Sequence, residues 1–140
     1  MARFEPAATD ATDPFWDGTR DRQYLVQWCR RCDAPIFFPR EVCPTCLADD
    51  ELHWRPSAGT GTVHAVSVQH RPGNPMMADR VPYAVVLVDL DAGDGSRTVR
   101  IMSNVMDGDP EAVAVGDPVR ITWEALSDGR HLPVFERTGT

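Results

Sequence analysis

Apolar positions along the chain follow two patterns, and the change comes near Gly59. From there to the end, β-branched runs alternate with turn residues, as expected for short strands that each bury one face. The alternation predicts strands at Thr60–Gln69, Tyr83–Asp89, Val99–Asn104, Val119–Ala125 and Leu132–Arg137. Asp91–Ser96 and Ser127–Arg130 read as hairpin turns, and Asp107–Pro118 as a longer connection with Pro110, Gly116 and Pro118 at its corners. Five strands in about 80 residues suit a small barrel. A five-stranded Greek-key barrel of the OB type accommodates the pattern, and an SH3-like barrel fits the periodicity almost as well.

Before Gly59 the runs are shorter. Residues 1–11 carry no periodic pattern and read as a mobile lead-in. Asp13-Pro14 supplies an N-cap and a first-turn proline, which predicts a short helix over 14–22. Its Phe15 and Trp16 either cover the segment that follows or dock a partner. Tyr24–Trp28 and Ile36–Pro39 read as the two strands of a hairpin, and Leu52–Pro56 as a third short strand. The expected fold is mainly β, in three parts: an N-terminal segment with a short helix (1–23), a cysteine-bearing ribbon (24–57) and the barrel (58–140).

The hairpin lies between two cysteine pairs, Cys29-Arg30-Arg31-Cys32 and Cys43-Pro44-Thr45-Cys46, with ten residues between them. Two residues between ligands let a tight turn aim both sulfurs at one ion, and the hairpin brings the second pair opposite to complete a tetrahedron. Four thiolates leave no open coordination position, so the spacing predicts a structural zinc site of the rubredoxin type. The same donor set takes iron, which keeps electron transfer as a competing reading.

Charge narrows the partners. The 140-residue chain has a net charge of −7, and all fourteen of its basic residues are arginine. The acidic field opposes binding to a phosphate backbone. Without lysine, neither a Schiff base nor a P-loop lysine is available to this chain. No basic segment followed by an apolar stretch opens the sequence, and no apolar run approaches the roughly 18 residues of a membrane helix. With tightly paired cysteines, this predicts a cytoplasmic protein holding metal thiolates rather than disulfides.

The remaining chemistry is sparse. His53, His64, His70 and His131 are scattered and lie in no recognised catalytic motif, although His64 and His70 would share a face if their strand ran on by one residue. The segment His70–Pro82 is too proline-rich for regular structure, and loops of that length are often functional. Met76 and Met77 offer adaptable apolar surface between Arg71 and Arg80, a combination suited to an acyl-CoA or a protein interface. The alternative is that the methionines fold back over the barrel mouth and the arginines are solvated.

Taken together, the chain resembles the acyl-CoA-associated zinc-ribbon/OB-fold family. The likeness rests on Pro14-Phe15-Trp16-Asp17-Gly18, Gln27-Trp28-Cys29-Arg30-Arg31-Cys32 and Pro39-Arg40-Glu41-Val42-Cys43-Pro44-Thr45-Cys46. It continues through Gly59-Thr60-Gly61-Thr62-Val63, Val81-Pro82-Tyr83-Ala84-Val85-Val86-Leu87-Val88-Asp89-Leu90 and Val115-Gly116-Asp117-Pro118-Val119. Asp33 stands where the family often has glycine, a position aspartate can fill in the left-handed conformation. The resemblance implies a non-catalytic partner of a thiolase-like enzyme in a hetero-oligomer, with an acyl-CoA ester at the interface. In steroid degradation such a domain accompanies an aldolase that cleaves a side-chain hydroxyacyl-CoA by a retro-aldol step. Two readings compete with this accessory subunit: a single-stranded nucleic-acid binder, since OB barrels serve that role, and a rubredoxin-like electron carrier.

Overall fold

The computed structural model describes residues 5–139. Helix α1 (Asp13–Arg20) is followed by a ribbon of β1 (Leu25–Cys29), β2 (Ala34–Ile36) and β3 (Leu52–Pro56). The barrel follows as β4 (Thr60–Gln69), β5 (Tyr83–Asp91), β6 (Thr98–Val105), β7 (Pro118–Ala125) and β8 (His131–Arg137). Single turns of 3-10 helix occupy Pro75–Met77 and Pro110–Ala112.

The ribbon is an antiparallel sheet in the order β2-β1-β3. Its second strand is shorter than the sequence predicts: it ends at Ile36, and Phe37 and Phe38 leave the sheet. The barrel closes in the order β4-β5-β6-β8-β7. Counted from the first barrel strand this is 1-2-3-5-4, the Greek-key closure of an OB fold rather than a meander. Neighbours pair antiparallel except β6 and β8, which run parallel and share a single register pair, Val105 with Phe135.

Alternation explains the barrel core. Along β5, Ala84, Val86, Val88 and Leu90 point inward while the residues between them are half-exposed. Phe135 of β8 is completely buried among them. A bulge between Val63 and Ala65 of β4 shifts the register, so His64 faces Asp89 while His70 pairs with Glu111 at 2.8 Å. The two histidines are not brought together.

The lead-in is better held than its composition suggests. Residues 1–4 lie outside the described part, but Glu5 accepts hydrogen bonds from the Ser127 amide and hydroxyl, both at 2.6 Å. Thr12, not Asp13, is the cap position of α1, and its side chain makes no capping bond. The helix ends at Arg20 and packs between β1 and β8. Buried Thr19 fixes it there: its hydroxyl accepts from the His131 amide at 3.2 Å and its carbonyl meets His131 Nδ1 at 2.8 Å. Phe15 packs edge-on against Trp16 and Tyr24, and the Arg130 guanidinium lies over the Trp16 ring.

Ribbon and barrel meet at Trp28. Its indole is fully buried, and its N–H donates to the Ala92 carbonyl at 2.7 Å. The Arg55 and Arg97 guanidiniums sit 3.9 and 4.6 Å from its ring centre. Arg97 also bonds the Asp33 carbonyl, and both arginines approach the Asp33 carboxylate. Asp33 has φ 47°, the left-handed conformation expected of it, and it adds a contact that glycine could not make. Gly93 is required here: φ is +106°, and a Cβ would lie 3.0 Å from both Arg55 Cβ and the Pro56 carbonyl.

Candidate metal centre and apolar cavity

Strand β1 ends at Cys29, and a tight turn returns Cys32 beside it before β2 begins. The second pair is held by a turn of its own, in which the Leu47 amide donates to the Cys43 carbonyl and the Cys43 amide to the Ala48 carbonyl, both at 2.9 Å. Gln27 aligns the two halves: its side-chain amide donates to the Arg40 carbonyl and accepts from the Arg40 amide, both at 2.8 Å. The segment leading to Cys43 is thereby tied to the strand carrying Cys29.

The four sulfurs lie within 4.8 Å of one another. Cys29 Sγ is 3.7 Å from Cys46 Sγ, and Cys32 Sγ is 3.8 Å from Cys43 Sγ. A tetrahedron with metal–sulfur bonds of about 2.3 Å has edges of about 3.8 Å, so the cluster has the size of a tetrathiolate site. The Cys32 amide points at Cys29 Sγ and the Thr45 amide at Cys43 Sγ, each at 3.4 Å, as suits sulfurs carrying negative charge. Amide hydrogen bonds from Cys46 and Thr45 lower the Cys43 thiol to about 6. Desolvation and the neighbouring thiols push Cys32 up to about 12. Bare thiols crowded in this way cannot all ionise; a divalent cation stabilises the fully deprotonated set.

The loop residues singled out from sequence divide. Arg80 is three-quarters buried and bonds Glu124 of β7 at 2.8 Å, which ties the end of the long loop to the barrel. Arg71 is exposed. Asn74 accepts a hydrogen bond from the Met76 amide and starts the single helical turn. Met76 remains 39% exposed and Met77 half-buried, and both line a hollow with Tyr83, Val85 and residues 102–104 of β6.

Sequence reasoning missed what adjoins that hollow. Met102 lies at an outward position of β6 and is 73% exposed, and Phe38, just past β2, is 69% exposed. An apolar side chain at outward parity was the available signal. Between them opens a cavity of about 340 Å³ lined by α1, β1, the Phe37–Pro39 segment, β6 and β8. It follows from the topology: β6 and β8 share one register pair at Val105–Phe135, and the cavity is lined by residues 101–104 of β6 and by Leu132 and Pro133 of β8. Ser103 Oγ bridges these two strands by donating to the Pro133 carbonyl at 2.9 Å.

Comparison with known proteins now bears on both features. The family described as "ChsH2, rubredoxin-like zinc ribbon domain" matches residues 16–52, and "ChsH2, C-terminal OB-fold domain" matches residues 54–124. The chain belongs to the ChsH2 family. Among relatives, a "DUF35 domain-containing scaffold protein" of Methanothermobacter thermautotrophicus is 31% identical over 71% of this chain and 71% of its own length. A "3-oxo-4,17-pregnadiene-20-carboxyl-CoA hydratase alpha subunit" of Mycobacterium tuberculosis is 32% identical over 91% of this chain. The chain spans less than half the length of the hydratase alpha subunits it matches, 38% in the Mycobacterium case. Among solved structures, a chain of the "Ltp2-ChsH2(DUF35) aldolase" superposes with a TM-score of 0.81 at 28% identity, covering 95% of this ChsH2-family chain and 98% of that one. No described helix is long and apolar enough to cross a membrane.

Proposed function

We propose that this chain is a non-catalytic subunit of a thiolase-like acyl-CoA enzyme, which it binds and stabilises and whose CoA-ester channel it helps to shape. The observation that carries the reading is the end-to-end likeness to a chain of the Ltp2-ChsH2(DUF35) aldolase. The name of the Mycobacterium relative supports a steroid side-chain ester as the substrate, and the partner supplies the residues for a retro-aldol cleavage. Cys29, Cys32, Cys43 and Cys46 hold zinc, which joins the two knuckles and has no coordination position left for substrate. The docking surface is the apolar strip from Phe38 across Met102 to Met76 and Met77, with exposed Arg71 on the same loop as the two methionines and Arg80 tying that loop to β7. The assembly works in the cytoplasm.

Affinity purification of the tagged chain from its host tests this, with mass spectrometry of bound protein and metal analysis of the same eluate. Recovery of zinc and a thiolase-like protein is expected. A coloured, iron-loaded monomer, or recovery of nucleic acid in place of protein, would overturn it. Replacing Arg71, Met76, Met77 and Arg80 together by alanine is expected to weaken assembly by at least tenfold while leaving the barrel folded.

A further inference from the structure

The cavity beside α1 has the character of a small-molecule site in its own right. At about 340 Å³ it falls within the range of ligand pockets. Its walls come from five separate stretches of chain, and among the described residues no charged side chain lines it. Its other polar lining groups are largely engaged: Gln27 with the Arg40 backbone, Ser103 with the Pro133 carbonyl and Asn104 with the Ala84 carbonyl. Tyr24 differs. Only 6% of it is exposed, it lines the cavity, and its hydroxyl makes no hydrogen bond to any described residue. The hydroxyl keeps some exposure, so it opens onto the cavity, where a ligand oxygen can take the place of water. Its titration agrees with the lack of a partner, since burial alone pushes the group above its ordinary range.

We infer that this cavity binds a neutral, mainly hydrocarbon ligand bearing a ketone or hydroxyl oxygen, with that oxygen accepting a hydrogen bond from Tyr24. Neutrality follows from the walls, because a buried carboxylate or phosphate would find no counter-charge among the described lining residues. Phe15, Trp16 and Phe37 supply flat surface for a ring system or a chain. The entrance is framed by Phe38 and Met102, which are also part of the docking strip. The site does not depend on the accessory-subunit reading, since its walls and its anchor belong to this chain alone.

Calorimetric titration of the full chain tests the inference, with three probes. Progesterone offers a ring ketone, decan-1-ol a chain hydroxyl, and decanoate the same chain with a charge. Saturable one-to-one binding of progesterone or decanol, at least tenfold tighter than decanoate, is expected, and the tighter of the two identifies a ring or a chain as the natural body. Tyr24→Phe removes only the hydroxyl and is expected to weaken binding by about three- to tenfold. Met102→Trp, at an exposed position, narrows the entrance and should reduce binding further without unfolding the chain. Absence of saturable binding by either neutral probe would overturn the site, as would binding unchanged in Met102→Trp. An unchanged affinity in Tyr24→Phe would overturn the anchor. Failure to recover a partner from the host would leave these titrations untouched.

Discussion

The ribbon and the barrel reach order by opposite means. In the barrel, Val63, Val86, Val88, Leu90, Ile101, Val119 and Phe135 spread burial over five strands, so no single residue holds the ring together. In the ribbon, the buried cluster is Cys29, Ile36 and Cys43, with Cys32, Cys46 and Leu52 packed against it. Sulfurs occupy the place of hydrocarbon, and a bound ion must do the work of a core. The line between the two regimes runs through β1. Its Val26 and Trp28, with Tyr24 just before it, belong to the barrel's apolar cluster, while Cys29 belongs to the metal's. One short strand therefore reports on both.

The largest expected effect comes from the ribbon. Cys43→Ser removes one of four ligands and, with it, most of a metal-binding free energy on the order of 10 kcal/mol. Hydrogen exchange should show the amides of β2 and β3 losing protection while β5 and β6 keep theirs. Collapse of both would mean that the barrel leans on the metal as well. Phe135→Ala strikes the other regime and should cost about 3–5 kcal/mol in urea denaturation, with metal content unchanged. Trp28→Phe attacks the join. Losing the hydrogen bond to the Ala92 carbonyl and part of the indole's packing should cost about 2–3 kcal/mol, with ribbon and barrel melting further apart in temperature.

Gly93→Ala probes the same join from the barrel side. The left-handed backbone and the 3.0 Å approach to Arg55 Cβ predict about 1–2 kcal/mol of destabilisation. The smallest effect lies far from both. Arg100 holds the Asp89 carboxylate at 2.8 and 3.2 Å, and this hydrogen bonding keeps its pKa below the usual carboxylate value. A pKa lowered in the folded state adds stability above the unfolded value of about 3.9 and loses it as the pH falls through the folded one. Arg100→Met should therefore lower stability only slightly at pH 7, because the pair is solvent-screened, and the difference should vanish in strong acid.

The contrast also explains what the chain made legible. Cysteine spacing is a local property, so the cluster of Cys29, Cys32, Cys43 and Cys46 was legible in the sequence. Barrel strands were legible by alternation, with ends displaced by at most two residues, as at β5, which runs to Asp91 instead of Asp89. The choice between OB and SH3-like closure was not, because it turns on the parallel pairing of Val105 with Phe135, which leaves no local mark. The second ribbon strand looked longer because Phe37 and Phe38 are good strand residues, yet they turn aside, with Phe37 lining the cavity and packed against the apolar core. Arg80 read as a surface cation because its partner, Glu124, lies 44 residues away. The cavity was invisible for the same reason, since its walls meet only after folding.

Trp28 gives the molecule a built-in optical gauge. A fully enclosed indole emits further to the blue than one in contact with water, and Trp16, Trp54 and Trp123 are only partly covered. Lifting the ribbon from the barrel by even a few ångströms would wet this ring and draw the two guanidiniums away from it. The colour of the emitted light would then register the separation without any label, and while both halves remained folded.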